Sequence, residues 1–95
     1  MKINLHKIQI EAEIGKMTVM DVSKAFANAV YGMTDDIGVM DLMKKVYYAQ
    51  GETEIPDNLI PYLIKVTEKS SLKAFVKVAV LRELKKHGET VTKLM

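Results

Sequence analysis

The sequence contains no cysteine, which excludes disulfides, thiolate metal sites and cysteine nucleophiles. It also has no tryptophan, only two prolines and only two histidines, and its five glycines are scattered instead of forming a phosphate-binding loop. No apolar run approaches the ~18–20 residues that cross a bilayer. The first seven residues lack the continuous apolar stretch of a signal peptide. These absences predict a cytoplasmic protein without a membrane span.

The residues that could carry enzyme chemistry lack the spacing that such chemistry needs. His6 and His87 lie near opposite ends of the chain, each without a second ligand at helical spacing, so we expect no metal site. Ser23, Ser70 and Ser71 lack the Gly-x-Ser-x-Gly context of a hydrolase nucleophile. We therefore expect no enzyme activity, no catalytic residue, no cofactor and no small-molecule substrate.

Hydrophobic residues make up 48% and charged residues 27% of the 95 residues, which is typical of a folded globular domain. Apolar and polar residues alternate over 3–14 and predict a strand, with a change of parity between Leu5 and Ile8 that indicates a bulge or an irregular start. Gly15-Lys16 is typical of a tight turn. Residues 17–20 would then return as the second strand of a hairpin, and residues 52–55 could add a short third strand. The sequence leaves both of these strands open.

Apolar residues recur at helical spacing in three further segments, over about 22–33, 37–50 and 56–70. A helix running on past Ser70 would turn Lys73 and Lys77 onto its apolar face. We therefore favour a break, with Ser70 or Ser71 capping a fourth helix over about 71–87.

The predicted fold is α+β and predominantly helical. An N-terminal β-hairpin, with or without the short third strand, packs on three or four helices. Residues 1–88 would form a single globular domain, and residues 89–95 a flexible C-terminal tail.

The fourth predicted helix is apolar over most of its circumference, which is typical of a helix that is central to the core or shared with a partner. We predict a partner interface formed by Leu72, Phe75, Val76, Ala79 and Val80. The seven methionines support an adaptable contact surface, and the edge of the N-terminal hairpin could pair with another strand. The expected partner is a second copy of the chain or another protein.

Positive charge is concentrated in the last third of the chain, where residues 65–95 hold seven lysines, Arg82 and three glutamates. The candidate basic surface comprises Lys65, Lys69, Lys73, Lys77, Arg82, Lys85 and Lys86. Such a surface could bind nucleic acid through its phosphates, and this is the alternative function. A solvated lysine face explains the same pattern, because no aromatic residues interleave with the lysines to stack bases. The sequence leaves open whether these residues share one face.

Three central segments carry a resemblance to known proteins: Ser23-Lys24-Ala25-Phe26-Ala27-Asn28-Ala29-Val30-Tyr31, Thr34-Asp35-Asp36-Ile37-Gly38 and Gly51-Glu52-Thr53-Glu54-Ile55. In this order they resemble small uncharacterised prophage-encoded proteins of gut bacteria, over about residues 3–85. The resemblance implies a phage context, with no activity and no functional residues. Together with the apolar surface of the fourth helix and the methionine content, it predicts a non-enzymatic interaction protein that self-associates and acts as a phage accessory or assembly factor.

Overall fold

The chain alternates short strands with helices, and a computed structural model describes its backbone over residues 1–94 and its side chains over residues 1–86. The elements are β1 (Lys2–Ile3), β2 (Ile8–Glu13), β3 (Lys16–Met20), α1 (Ser23–Tyr31), α2 (Ile37–Tyr48), β4 (Thr53–Glu54), a 3-10 turn (Asp57–Leu59), α3 (Ile60–Lys69) and α4 (Ala74–Leu94). The predicted fold class, a predominantly helical α+β domain, is confirmed.

The strand predicted over residues 3–14 is in fact two strands, which belong to two separate sheets. Asn4 Oδ1 accepts a hydrogen bond of 3.0 Å from the amide of His6, which closes a turn between Ile3 and Ile8. The parity change therefore marks a turn and not a bulge. β1 pairs antiparallel with β4, so the short third strand exists but lies outside the hairpin.

β2 and β3 form the predicted hairpin and pair antiparallel. Glu13 lies opposite Lys16, so the turn consists of Ile14 and Gly15 and not of Gly15 and Lys16. Gly15 has φ +81°, a left-handed conformation that favours glycine. A shift of register between Ile10 and Glu13 places a bulge next to this turn.

The break between α3 and α4 is confirmed, but neither serine caps α4. Ser70 Oγ donates to the carbonyl of Thr67 at 2.7 Å, at the end of α3. The carbonyl of Lys73 accepts the first amide hydrogen bond of α4, from Val76 at 2.9 Å. The predicted end of this helix near residue 87 is also wrong, because its backbone stays helical to Leu94. A glycine inside a helix costs only about 1 kcal/mol relative to alanine, so Gly88 need not stop it. Flexibility of the tail, 89–95, stays a prediction, since Met95 and the side chains after 86 lie outside the described residues.

The elements pack against one another in a simple order. α4 packs against both β2 and α3, and α1 packs against both α3 and α2. One core runs through these contacts, and its largest fully buried side chains are Phe26, Ile10, Met43, Ile55, Leu63 and Leu84. The successive contacts therefore lead from the hairpin through α4, α3 and α1 to α2. The hairpin and α2 lie at the two ends of this series, and each presents an outer surface of the domain.

The apolar faces of the first two predicted helices include Met33 and Met43, so their spacing predicts that both lie in the core. Met43 on α2 is buried, whereas Met33 is 43% exposed. The prediction for Met33 is wrong because α1 ends at Tyr31, so Met33 does not continue the apolar face of the helix.

Candidate interaction surface

The predicted interface on α4 lies largely inside the chain's own core. Val76, Ala79 and Val80 are buried, because α4 packs between β2 and α3. Leu72 and Phe75 are half-buried and pack against the same core. This corrects the prediction for the three buried residues, which no partner can contact while the domain stays folded.

Strand β3 presents an unprotected sheet edge. All five of its residues are exposed, and among the strands that the structure describes it pairs with β2 alone. Backbone N–H and C=O groups on its outer edge therefore point to solvent. Proteins usually protect such an edge with proline, with charge or with a covering segment, and β3 has one charged residue, Lys16, at its start.

Apolar side chains lie along and beside this edge. Met17 is 51% and Val19 59% exposed, and both lie on one face of β3 because they are two residues apart. Met17 also lines a cleft of about 240 Å³ with Phe75 and Val78 of α4, and Val78 is 65% exposed. We call β3 together with Phe75 and Val78 the edge surface. It is the apolar surface on which a partner could bind without opening the core.

The predicted basic surface is divided between α3, the loop after it and two sides of α4. Lys65, Lys69 and Lys73 are exposed. On one side of α4, Lys77 Nζ donates to the carbonyl of Glu68 at 3.2 Å, and Lys85 Nζ lies 3.9 Å from Glu68 Oε1. These two lysines are engaged with α3.

The other cations of this set are directed towards the hairpin or towards their own helix. The Arg82 guanidinium donates to the carbonyl of Gln9 on β2, and its Nε lies 3.6 Å from Glu83 Oε1. Lys86 Nζ lies 3.6 Å from the same carboxylate. Because Lys77 and Lys85 contact α3 while Arg82 contacts β2, the seven residues do not form one continuous basic face.

A Ser–His–Asp cluster joins the turn after β1 to the start of α1. His6 Nδ1 lies 3.0 Å from Asp21 Oδ2 and 3.3 Å from Ser23 Oγ, and the Ser23 hydroxyl donates to Asp21 Oδ1 at 2.6 Å. In a catalytic triad, the serine and the aspartate contact different ring nitrogens. Here both contact Nδ1, and Nε2 is buried without a hydrogen-bond partner among the described residues. The cluster therefore positions the backbone and does not activate Ser23.

The same contacts set the acidity of Asp21. The Ser23 hydroxyl, then His6 and the Ser23 amide, lower the pKa of the Asp21 carboxyl from 3.8 to about 2. A carboxyl with a lower pKa in the folded than in the unfolded chain stabilises the fold above its unfolded pKa. This contribution is present above about pH 3.8 and is lost as the pH falls towards about 2.

We expect Asp21→Asn to lower the free energy of unfolding above about pH 4 and to have a diminishing effect down to about pH 2. Urea unfolding followed by circular dichroism across this range measures the difference. Ser23→Ala removes the largest cause of the low pKa of Asp21 and should make the free energy of unfolding depend less on pH. A difference between wild type and Asp21→Asn that stays constant with pH would contradict this origin.

A second outer surface, which sequence reasoning missed, lies between α1 and α2. It is a cleft of about 210 Å³ lined by Ala27, Asn28, Tyr31, Met43, Lys44, Tyr47 and Tyr48. Tyr31 lies opposite the apolar face of α1 and Tyr47 within that of α2, so each residue fits an ordinary amphipathic helix when taken alone. Only the packing of α1 on α2 brings them together.

Comparison with known proteins identifies no relative: no family model, no curated protein and no solved structure matches the chain. Among the described residues, no group of three or more His, Cys, Asp or Glu side chains could hold a metal ion. None of the helices in that part of the chain is both long and apolar enough to cross a membrane.

Proposed function

We propose that this chain is a non-enzymatic interaction protein that self-associates through the edge of β3. The observation that carries the proposal is that all five residues of β3 are exposed and that its outer edge pairs with no other strand of the described residues. A two-stranded hairpin is only marginally stable by itself. Pairing β3 with β3 of a second copy would produce a four-stranded antiparallel sheet and satisfy the outer backbone groups of both strands.

The sequence of β3 is complementary to itself when it is paired about a two-fold axis at Thr18. Met17 then lies opposite Val19 of the partner subunit, which forms an apolar cross-strand pair on each side of the axis. Thr18 faces its own copy, another favourable cross-strand pair. Lys16 lies opposite a methionine and not opposite a second lysine, so the register brings no like charges together. These pairings favour a second copy over an unrelated strand.

The contact involves a five-residue strand and the apolar residues beside it. Stable interfaces bury ~1,200–2,000 Å² in total with roughly 20–30 residues a side, and a short strand with a few neighbours supplies less than this. We therefore expect an equilibrium between monomer and dimer that depends on concentration.

Charge exchange at Thr18 tests this pairing. Thr18→Lys and Thr18→Glu each place like charges opposite one another, and each should weaken dimerisation by up to about fivefold. An equimolar mixture of the two variants should restore a dimer, because lysine then faces glutamate. Analytical ultracentrifugation over a range of concentrations measures each state.

Ser71→Lys is the control, since it adds the same charge at an exposed loop position far along the chain from β3. It should dimerise like the wild type. A wild-type chain that stays monomeric at high concentration would overturn self-association. A dimer that is insensitive to both Thr18 variants would instead overturn the assignment to β3.

The biological setting that we propose is an accessory or assembly role in a phage, supported by the resemblance of about residues 3–85 to prophage-encoded proteins. The neighbouring genes test it. Tail, capsid or replication genes on either side would support the role, and an operon of host metabolism would contradict it.

A further inference from the structure

The cleft between α1 and α2 gathers three of the four tyrosines of the chain. Tyr48 is 77% exposed, and its ring meets that of Tyr47 edge-to-face, with centroids 4.9 Å apart and planes at 74°. Burying an exposed aromatic ring against a ligand is favourable because it removes apolar surface from water, and such rings are typical of recognition surfaces. In this edge-to-face contact the ring of Tyr48 does not lie flat on its neighbour, and its high exposure leaves aromatic surface open to a ligand.

The charges around the cleft are positive. Lys44 lines it, and Lys24 Nζ lies 5.4 Å from the centroid of the Tyr47 ring. No aspartate or glutamate is among the lining residues. A cationic ligand is therefore disfavoured, and a ligand with negative charge is favoured.

The ligand that matches this chemistry has an aromatic face and a negative charge. We propose that the cleft between α1 and α2 binds single-stranded nucleic acid, with one base stacked on Tyr48 and the adjoining phosphate beside Lys44. Stacking on aromatic side chains together with lysine contacts to the backbone is the general mode of single-strand binding. Pockets for drug-sized ligands occupy ~300–1,000 Å³, so a cleft of about 210 Å³ accommodates a single base.

This site differs from the basic surface predicted from the sequence. That surface lacks aromatic residues between its lysines, and Lys77 and Lys85 are engaged by Glu68. A proline-rich peptide is the competing ligand for a tyrosine-lined cleft. It would gain from the aromatic rings but not from Lys24 and Lys44, so the charges favour the nucleic acid.

Fluorescence anisotropy of an end-labelled thymidine oligonucleotide of about six residues, at low ionic strength, tests the proposal. Tyr48→Ala should weaken binding by about 5- to 150-fold, the range for the loss of one stacked base. Tyr48→Phe keeps the ring and should bind like the wild type. The same sequence as a duplex should bind more weakly, because its bases are not free to stack.

Salt dependence identifies the cations. The affinity should fall with salt, and Lys44→Ala should reduce the slope of log K against log[salt] by about 0.7. Lys69→Ala, an exposed lysine on α3, is the matched control and should leave the slope unchanged. An effect of Lys69→Ala without one of Lys44→Ala would assign binding to the basic surface and overturn the proposal.

Two other results would also overturn it: no oligonucleotide binding at low salt, or binding that Tyr48→Ala does not weaken. Binding of a proline-rich peptide in place of the oligonucleotide would identify the cleft as a peptide site. Thr18→Lys should leave the affinity for this short oligonucleotide unchanged. The test is therefore independent of β3 pairing.

Discussion

Val80→Lys is expected to lower the free energy of unfolding by at least about 3 kcal/mol, whereas Val78→Lys, two residues earlier on the same helix, should leave it nearly unchanged. Val80 is fully buried and Val78 is 65% exposed. A lysine at position 80 would place a charge in the core without a partner, at a cost of at least about 3 kcal/mol. Domains of this size have a total stability of about 5–15 kcal/mol, so such a loss removes a large part of it.

Circular dichroism and urea unfolding of the two variants measure this difference. The comparison also decides between two roles of α4. If Val80 belonged to a partner interface, Val80→Lys would fold as a monomer and lose only its association. A Val80→Lys chain as stable as the wild type would therefore contradict the position of α4 in the core. Val78→Lys should fold and weaken self-association, because Val78 belongs to the edge surface.

The helices could be predicted from periodicity because each of them buries one stripe in a single core. The spacing predicts one face of α2 that comprises Val39, Leu42, Met43, Val46 and Tyr47. The first four are buried and Tyr47 is half-buried against the core. The same reasoning allowed α4 to be central to the core or shared with a partner. The structure has α4 in the core, covered on two sides by β2 and by α3, and sequence periodicity could not decide this because it does not report how many neighbours a helix has.

The candidate sites could be predicted less well, since they depend on how elements meet. The alternation of apolar and polar residues and Gly15 predict the hairpin, and therefore a strand edge that could pair with a partner could be predicted from the sequence. The tyrosine cleft was not, because Tyr31 and Tyr48 lie on different helices and only their packing brings them together. The sequence left open whether the lysines share one face, and the break between α3 and α4 at Ser70 together with the contacts of Lys77 and Arg82 divides them.

The two phenylalanines of the chain should separate folding from association. Phe26 is fully buried on α1, a helix that packs against both α2 and α3. Replacing it by alanine leaves a cavity between three helices that cannot easily close. Phe26→Ala is therefore expected to cost about 3–5 kcal/mol and to lower Tm by at least ~12 °C.

Phe75→Ala is the matched control, because it removes the same atoms from a half-buried position at the margin of the core. We expect it to cost about 1–2 kcal/mol, since part of the side chain stays in contact with water and its removal leaves no closed cavity. Urea unfolding at a low protein concentration, where the chain is monomeric, measures both losses. Equal losses would contradict the placement of Phe26 at the centre of the core. Analytical ultracentrifugation of the folded chains should give the opposite ranking of the two variants. Phe75 lines the cleft beside Met17, so Phe75→Ala should weaken self-association more than Phe26→Ala does.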